Sequence, residues 1–238
     1  ENSFESCSGL TSVTNLDSVG KVENNAFINC NNIKSVYITD IAAWCNMDFG
    51  NEYSNPLYYA KNLYLNGKIV TELVIPDDVT EIKDYALYNC KSLKSVNIPE
   101  NVTSIGNGAF YGCSSLTSIE IPSSVTSIRN DAFEGCFNLA NVTIPNGVTS
   151  IGDRAFSWCE KITTITIPEN VTELGDFVFN GCKKLESVYC RPITPPSQMY
   201  ENTDNAGLFS QNAEGRKIYV PNESVDAYKS AQGWSLYA

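Results

Sequence analysis

A thiol returns at one fixed position of a repeat, and it is the first candidate for chemistry in this sequence. Seven cysteines share that position: Cys7, Cys30, Cys90, Cys113, Cys136, Cys159 and Cys182. Periodic thiols can form disulfides, bind a metal, act as nucleophiles or fill a core. The chain contains 0 histidines, so a thiolate lacks the side chain that most often activates it as a nucleophile.

The spacing favours a packing role for these thiols in the core. Equivalent residues of stacked repeats lie about 5 Å apart, which is within disulfide range, but their side chains point in the same inward direction. No CxxC spacing supports a thiolate metal site. We therefore predict that most of the in-phase thiols are buried and unpaired, and we assign no catalytic residue, no metal and no cofactor. For Cys45, which is outside the repeat phase, the sequence leaves the redox state open.

The elements that hold these thiols follow from the repeat itself. Residues 102–122 read VTSIGNGAFYGCSSLTSIEIP, and residues 125–145 read VTSIRNDAFEGCFNLANVTIP. The spacing LxxVxI ends in alternation, which predicts a short strand with one buried face, and the proline after it ends the strand. The next apolar pair is interpreted as inward anchors of an extended segment.

The rest of each repeat is predicted to be a short helix or 3₁₀ turn that carries the Ala–Phe pair. A recurring Asp or Asn is read as its N-cap: Asn24, Asp84, Asn107, Asn130, Asp153 and Asp176. Gly112, Gly135 and Gly181 are expected to end the turn in the left-handed conformation, and Trp158 is expected to end it differently. One repeat buries too few apolar side chains to offset its chain entropy, so the repeats must stack as a solenoid.

The domain is expected to span residues 1–238 as one unit. Repeats occupy residues 1–39 and 70–190, and residues 40–69 form a longer insert in which LYLNGKIV predicts a β-hairpin with its turn at Asn66 and Gly67. Residues 191–238 form a C-terminal cap, with a strand at KIYVP and a short helix at ESVDAYKSA. The chain starts within a repeat and without Met, so we expect it to be part of a longer protein.

The repeat CxxLxxVxIPxxVTxIGxxAFxG resembles the BspA-type leucine-rich repeat, which occurs in surface and secreted proteins of host-associated bacteria. This resemblance implies an α/β solenoid with a parallel concave sheet of about nine short strands and with short helices or 3₁₀ turns on the convex side. It implies secretion or surface display, and adhesion rather than catalysis.

Charge narrows the range of partners. The chain has 27 acidic and 16 basic residues, so it should repel phosphate backbones and is not expected to bind nucleic acid. No apolar run reaches the roughly 20 residues that a membrane span needs, and no insertion into a membrane is expected. The N-terminal ENSFESC has no signal-peptide core. The carboxylate pairs Asp77–Asp78 and Glu201–Asp204 are read as solvated turn residues.

The outward strand positions are the candidate binding residues because they form a band of hydroxyls and amides with aromatic residues near both ends. They are Tyr37, Ser95, Asn97, Ser118, Glu120, Asn141, Thr143, Thr164, Thr166 and Tyr189. The sequence thus predicts a non-enzymatic extracellular module that recognises a host or neighbouring-cell protein or glycan through the concave face. The alternatives are a structural spacer within a larger surface protein and, less favoured, an enzyme that uses tyrosines and carboxylates.

Overall fold

A computed structural model of the protein describes residues 2–198 and 207–237. The strands are β1 Ser12–Thr14, β2 Lys21–Val22, β3 Ser35–Ile38, β4 Asp48–Phe49, β5 Leu63–Leu65, β6 Lys68–Ile69, β7 Glu72–Val74, β8 Glu81–Ile82, β9 Ser95–Asn97, β10 Ser104–Ile105, β11 Ser118–Glu120, β12 Ser127–Ile128, β13 Asn141–Thr143, β14 Ser150–Ile151, β15 Thr164–Ile167, β16 Glu173–Leu174, β17 Ser187–Cys190, β18 Ser197–Gln198 and β19 Lys217–Tyr219. The helices are α1 Ile41–Cys45, α2 Leu57–Ala60 and α3 Val225–Ser230, and 3₁₀ turns occur at Leu16–Ser18, Glu52–Ser54, Asn222–Ser224 and Ser235–Tyr237.

Parallel strands that stack one repeat on the next confirm the predicted solenoid. The strands from the LxxVxI columns form the parallel ladders β1-β3-β5, β7-β9-β11-β13 and β15-β17-β19, which we call the main row. Each pairing joins equivalent residues of neighbouring repeats, for example Val142 with Ile119. The hydrophobic period of two therefore buries one face of every main-row strand and leaves the other face outside.

A second ladder runs through the same repeats and was not predicted. The segment after each proline forms a two-residue strand, and these strands join in the order β18-β16-β14-β12-β10-β8. Ile105, Ile128 and Ile151 are aligned and buried along it. From the sequence these residues are predicted only as inward anchors, because two-residue strands leave too short an alternation to recognise.

The insert contains the hairpin that the sequence predicts. β5 pairs antiparallel with β6, and Leu65 lies opposite Lys68. The turn residues Asn66 and Gly67 have φ angles of 51° and 77°, as a type I′ turn requires. The helices α1 and α2 also belong to the insert, and Trp44 from α1 donates through Nε1 to the carbonyl of Ala86 at 2.7 Å. The insert is thereby tied to the repeat that follows it.

The Ala–Phe segments of the regular repeats are chains of turns, so the helical form of the prediction is wrong there. Amide groups alternate between two partners. Tyr111 donates within its own repeat to the carbonyl of Gly108 at 3.1 Å, while Phe110 donates to Ala132 of the next repeat at 2.8 Å. A helix would direct all of these amides along one segment, whereas stacking provides partners on the neighbouring repeat. Trp158 ends its turn as the glycines do, with φ 60°.

The recurring Asp or Asn does not cap a helix, which corrects the second part of that prediction. Its side-chain oxygen accepts the amide of the equivalent residue one repeat later. The Oδ1 atom of Asp84 accepts from Asn107 at 2.7 Å, that of Asn107 from Asn130 at 3.2 Å, and that of Asn130 from Asp153 at 2.9 Å. A side-chain ladder therefore runs along the solenoid and satisfies amides that would otherwise be orphaned.

The core is a continuous column between the two ladders and the turns. Five stacked rings pass through it, and adjacent centroids lie 5.2, 5.2, 5.7 and 5.7 Å apart. They belong to Phe110, Phe133, Phe156, Phe179 and Phe209. At the C-terminal end, Tyr228 of α3 and Trp234 pack at 4.9 Å and are both buried. This end packing keeps the last repeat from water, as solenoids require.

Candidate functional site

The candidate binding residues all lie on the outward side of main-row strands, which we call the strand face. Tyr37 is in β3, Ser95 and Asn97 are in β9, and Tyr189 is in β17. The remaining six occupy β11, β13 and β15: Ser118, Glu120, Asn141, Thr143, Thr164 and Thr166. All are exposed except Tyr189, which is half-buried.

Strand register brings these residues into two columns. Glu120 lies opposite Asn97 on one side and Thr143 on the other, and Ser118 lies opposite Asn141. Thr166 lies opposite Tyr189 in the last ladder. Neighbouring positions in a parallel sheet are about 5 Å apart, so each column offers a regular row of polar groups across the strands.

The polar candidate side chains of this face have no partner among the described residues. In residues 2–198 and 207–237, none of the eight polar candidate side chains makes a hydrogen bond or ion pair. By contrast, the exposed hydroxyl of Thr126, on the second ladder side, donates to the carbonyl of Thr103 at 3.3 Å. The strand face therefore has free donors and acceptors for a ligand.

The strand face also contains two tyrosines that the sequence does not predict there. Tyr64 lies opposite Tyr37, with ring centroids 4.7 Å apart, and Tyr219 lies opposite Tyr189, also at 4.7 Å. Each pair joins residues whose separation departs from the 23-residue period, because the insert or the cap intervenes. The alternating patterns of LYL and KIY indicate that these tyrosines lie in strands. They indicate a contact with Tyr37 or Tyr189 only when the strand register is known.

A groove of about 870 Å³ borders the second tyrosine pair. Its lining includes Thr166, Tyr189, Arg191 and Tyr219. The guanidinium carbon of Arg191 lies 5.7 Å from the ring centroid of Tyr189, within cation–π range. The groove combines aromatic surface with polar groups, which suits a ligand that has both apolar faces and hydroxyl or amide groups.

The periodic thiols lie in the core, as predicted. Six of the seven in-phase cysteines are buried and free, and Cys7 is exposed and free. In five of the buried ones the Sγ atom donates to a carbonyl of the preceding repeat, as Cys113 does to Leu87 at 3.2 Å and Cys136 to Phe110 at 3.2 Å, whereas the Sγ atom of Cys90 lies 3.8 Å from the hydroxyl of Ser92. The thiol thus adds a second hydrogen bond to a carbonyl that already accepts a backbone amide, as that of Leu87 does from Cys90 at 3.1 Å.

Burial also removes the thiols from nucleophilic chemistry. It raises the pKa of Cys90 to about 11 and that of Cys136 to about 12. Burial acts in the same direction on the pKa of Cys45, which it raises to about 12. A thiol with such a pKa carries almost no thiolate at neutral pH, so the geometry gives no reactive cysteine in the core.

We expect only one of the nine cysteines to react rapidly with a thiol reagent in the native protein near neutral pH. Cys7 is exposed, whereas the other eight are buried and free. The measurement is a timed reaction with an aromatic disulfide reagent, followed by full counting in guanidinium chloride. The control Cys7→Ser should remove the rapid phase, and a rapid phase from two or more thiols would contradict the burial of the ladder.

The acidic pair Asp77–Asp78 offers no built metal site. Asp77 and Asp78 are exposed turn residues, while Glu201 and Asp204 lie outside the described residues. No three His, Cys, Asp or Glu side chains converge to hold a metal ion in the described part of the chain. Within the same part, no helix is both long and apolar enough to cross a membrane.

Comparison with known proteins decides the family. A family model described as "BspA type Leucine rich repeat region" matches residues 1–52 and 60–186, with 6 copies of the repeat. The chain belongs to the BspA-type leucine-rich repeat family. The matched segments include the periodic cysteines from Cys7 to Cys182 and the strands that carry most of the candidate residues. No curated protein sequence matched the chain.

Solved structures of bacterial leucine-rich repeat proteins are similar to this BspA-type chain. A Treponema pallidum leucine-rich repeat protein (TpLRR) is 30% identical with a TM-score of 0.50, and the match covers 63% of this chain and 73% of that one. A Bacteroides ovatus leucine-rich repeat protein is 29% identical with a TM-score of 0.54, over 91% of this chain and 51% of that one. The pneumococcal vaccine antigen PcpA, 16% identical with a TM-score of 0.63, shares the fold over 93% of this chain and 64% of its own. The chain thus spans about half the length of the Bacteroides ovatus protein.

Proposed function

We propose that this chain is a non-enzymatic binding module of a secreted or surface-displayed protein. It recognises a protein or glycan of a host or neighbouring cell through the strand face. The observation that carries this proposal is the band of exposed polar side chains without partners in the described residues, bounded by the pairs Tyr37–Tyr64 and Tyr189–Tyr219. Membership of the BspA-type family and the fold shared with a pneumococcal antigen support the surface location.

Side chains without partners and stacked tyrosine rings together make the strand face suitable for binding a ligand. A flat sheet whose polar groups are already bonded gains little from a ligand, whereas free hydroxyls, amides and a carboxylate can each form a new bond on contact. Stacked tyrosines supply amphipathic surface at little entropic cost, which makes them the expected anchors. The groove beside Tyr189 and Tyr219 gives one end of the face enough depth to hold a side chain or a sugar ring.

The experiment begins with the whole chain on a glycan array and on immobilised extracellular glycoproteins. For any ligand found, the variant Tyr37→Ala, Glu120→Ala, Asn141→Ala, Tyr189→Ala is expected to bind at least about tenfold more weakly, since truncation of an anchor removes about 1.4 kcal/mol or more. Phe137→Ala is the matched control, because Phe137 is an exposed aromatic residue beside Tyr111 and Trp158 on the turn side.

Two results would overturn the proposal. Unchanged binding by the fourfold variant, with an intact circular dichroism spectrum, would move the binding surface away from the strand face. A folded chain that binds nothing on either panel would favour the structural spacer.

A further inference from the structure

Six tyrosines gather on the turn side of the solenoid, away from the strand face. Tyr88 and Tyr111 stack with ring centroids 4.6 Å apart and an interplanar angle of 3°, and Tyr58 stacks on Tyr88 at 5.9 Å. Tyr53, Tyr59 and Tyr85 complete this turn-side cluster. Only Tyr88 is buried, so the other five rings keep part of their surface accessible.

The cluster borders a cavity of about 310 Å³ that exists because one repeat has glycine where its neighbours have side chains. Gly108 occupies the position of Tyr85 in the previous repeat and Asp131 in the next. It has φ 55°, and a Cβ atom there would lie 3.1 Å from Tyr85 Cδ1 and 3.4 Å from Tyr88 Cδ2. The missing side chain leaves both rings open toward the cavity.

The opposite wall is acidic. Glu52, Asp131 and Glu134 line the cavity together with a single cation, Arg154. The Nε atom of Arg154 lies 2.7 Å from Asp131 Oδ1 and 3.4 Å from Glu134 Oε2. Two of the three carboxylates therefore pair with one guanidinium, and Glu52 lines the cavity as a further acidic group.

The charge of the Arg154 guanidinium does not neutralise the carboxylates of this wall. Burial, and next the hydrogen bond and charge of Asp131, raise the pKa of Glu134 to about 7 despite Arg154. The site therefore disfavours its own full ionisation, and a second positive charge would relieve this repulsion.

We propose that this cavity binds an organic cation of the ammonium or guanidinium type, held between the carboxylates of Asp131 and Glu134 and the ring faces of Tyr85 and Tyr111. Carboxylates give charge-assisted hydrogen bonds to such a group, and tyrosine faces attract it through their quadrupoles. A lysine or arginine side chain of a protein and a free amine share this chemistry. The site is separate from the strand face, so it adds a second binding function.

The test titrates the whole chain with three probes and follows the Gly108 amide by NMR, with calorimetry in parallel. The probes are N-acetyl-arginine methylamide, the free amine agmatine, and the neutral isostere N-acetyl-citrulline methylamide. Saturable binding of either cation, at least about tenfold tighter than citrulline, supports the proposal, and the tighter of the two cations identifies the source. Equal binding of the citrulline probe, or no saturable shift up to about 10 mM, overturns it.

Variants separate binding from a structural role. Asp131→Asn keeps a residue that tolerates the observed φ of 59°, and we expect it to weaken cation binding at least about fivefold. Arg154→Gln removes the competing cation and should strengthen binding, an effect that simple loss of structure cannot produce. Glu223→Gln near the C-terminus is the matched charge control and should leave binding unchanged. Weaker binding by Arg154→Gln in a folded protein would overturn the proposal.

The pH dependence gives an independent readout. Glu134 is faced by Asp131 and Arg154, and its charge also acts on Tyr111 and Cys159. Since its protonated form is neutral, cation binding should strengthen several-fold from about pH 6 to about pH 8. This change should be much smaller in Glu134→Gln, and an equal change in that variant would contradict the role of Glu134.

Discussion

Raising the pH from about 8 to about 10 is expected to unfold the protein, because its core holds thiols that ionise only when exposed. Burial raises the pKa of Cys45, Cys136, Cys182 and Cys190 to about 12 and that of Cys90 to about 11. Burial likewise holds the pKa of Cys113 and Cys159 well above its ordinary value. In an unfolded chain the same thiols have a pKa near about 8.5.

The difference in proton binding between the folded and unfolded chains sets the direction of this pH dependence. Above about pH 8.5 the unfolded chain releases thiol protons that the folded chain keeps, so the free energy of unfolding falls as pH rises toward the folded pKa values. Each thiol approaches a contribution of about 1.4 kcal/mol per pH unit once the pH is about one unit above the unfolded pKa. Seven of them together then approach about 10 kcal/mol per pH unit, which is comparable with the whole stability of an ordinary domain.

Urea unfolding at a series of pH values, with a phosphine reductant present, measures this slope. In the variant Cys136→Ala, Cys159→Ala, Cys182→Ala the pH slope of the free energy of unfolding should fall by the contribution of about three thiols. Its stability at neutral pH is also expected to be lower. If that variant does not fold, Cys136→Ala alone should reduce the slope by about one thiol's worth. A stability that is flat up to about pH 10 would show that the core thiols are not shielded.

Phe133→Ala is expected to destabilise the protein by about 3–5 kcal/mol, the second large effect. Phe133 is 0% exposed and stacks on Phe110 and Phe156, with both centroid distances 5.2 Å. Its removal leaves a cavity in the middle of the ring column and breaks two stacking contacts. Because each repeat contacts only its neighbours, the two halves of the solenoid should also unfold less cooperatively.

Chemical denaturation with circular dichroism and fluorescence measures both effects. Phe137→Ala is the matched control, since Phe137 lies four residues away in the same repeat but is 45% exposed. It should change the free energy of unfolding by less than about 0.5 kcal/mol. Equal losses from the two substitutions would argue against a continuous core through Phe133.

Properties that depend on local alternation were accessible from the sequence. The buried columns of the main row, the burial of Cys113 and its equivalents, and the hairpin at Asn66 and Gly67 all follow from side-chain polarity and turn chemistry within about 23 residues. Repetition strengthened these predictions, because each repeat has to bury the same face against its neighbours.

The Asp and Asn ladder could be predicted from the sequence only in part. The sequence identified Asn107 and Asn130 as residues that satisfy orphan amides, but it placed the amides in the same repeat. A helix cap and a ladder require the same side-chain oxygen, and only the position of the next repeat distinguishes them. In the structure the accepted amide is 23 residues further along the chain.

The sequence by itself determined the repeat, its inward side chains and the polar band from Ser95 to Thr166, because those depend on the period of the chain. Only the tertiary structure decided that Tyr64 and Tyr219 join this band, and that Gly108 opens a cavity between Tyr85 and Asp131. Such neighbours are set by the register across an insert, a cap or successive turns. Their sequence separation carries no fixed period from which contact could be inferred.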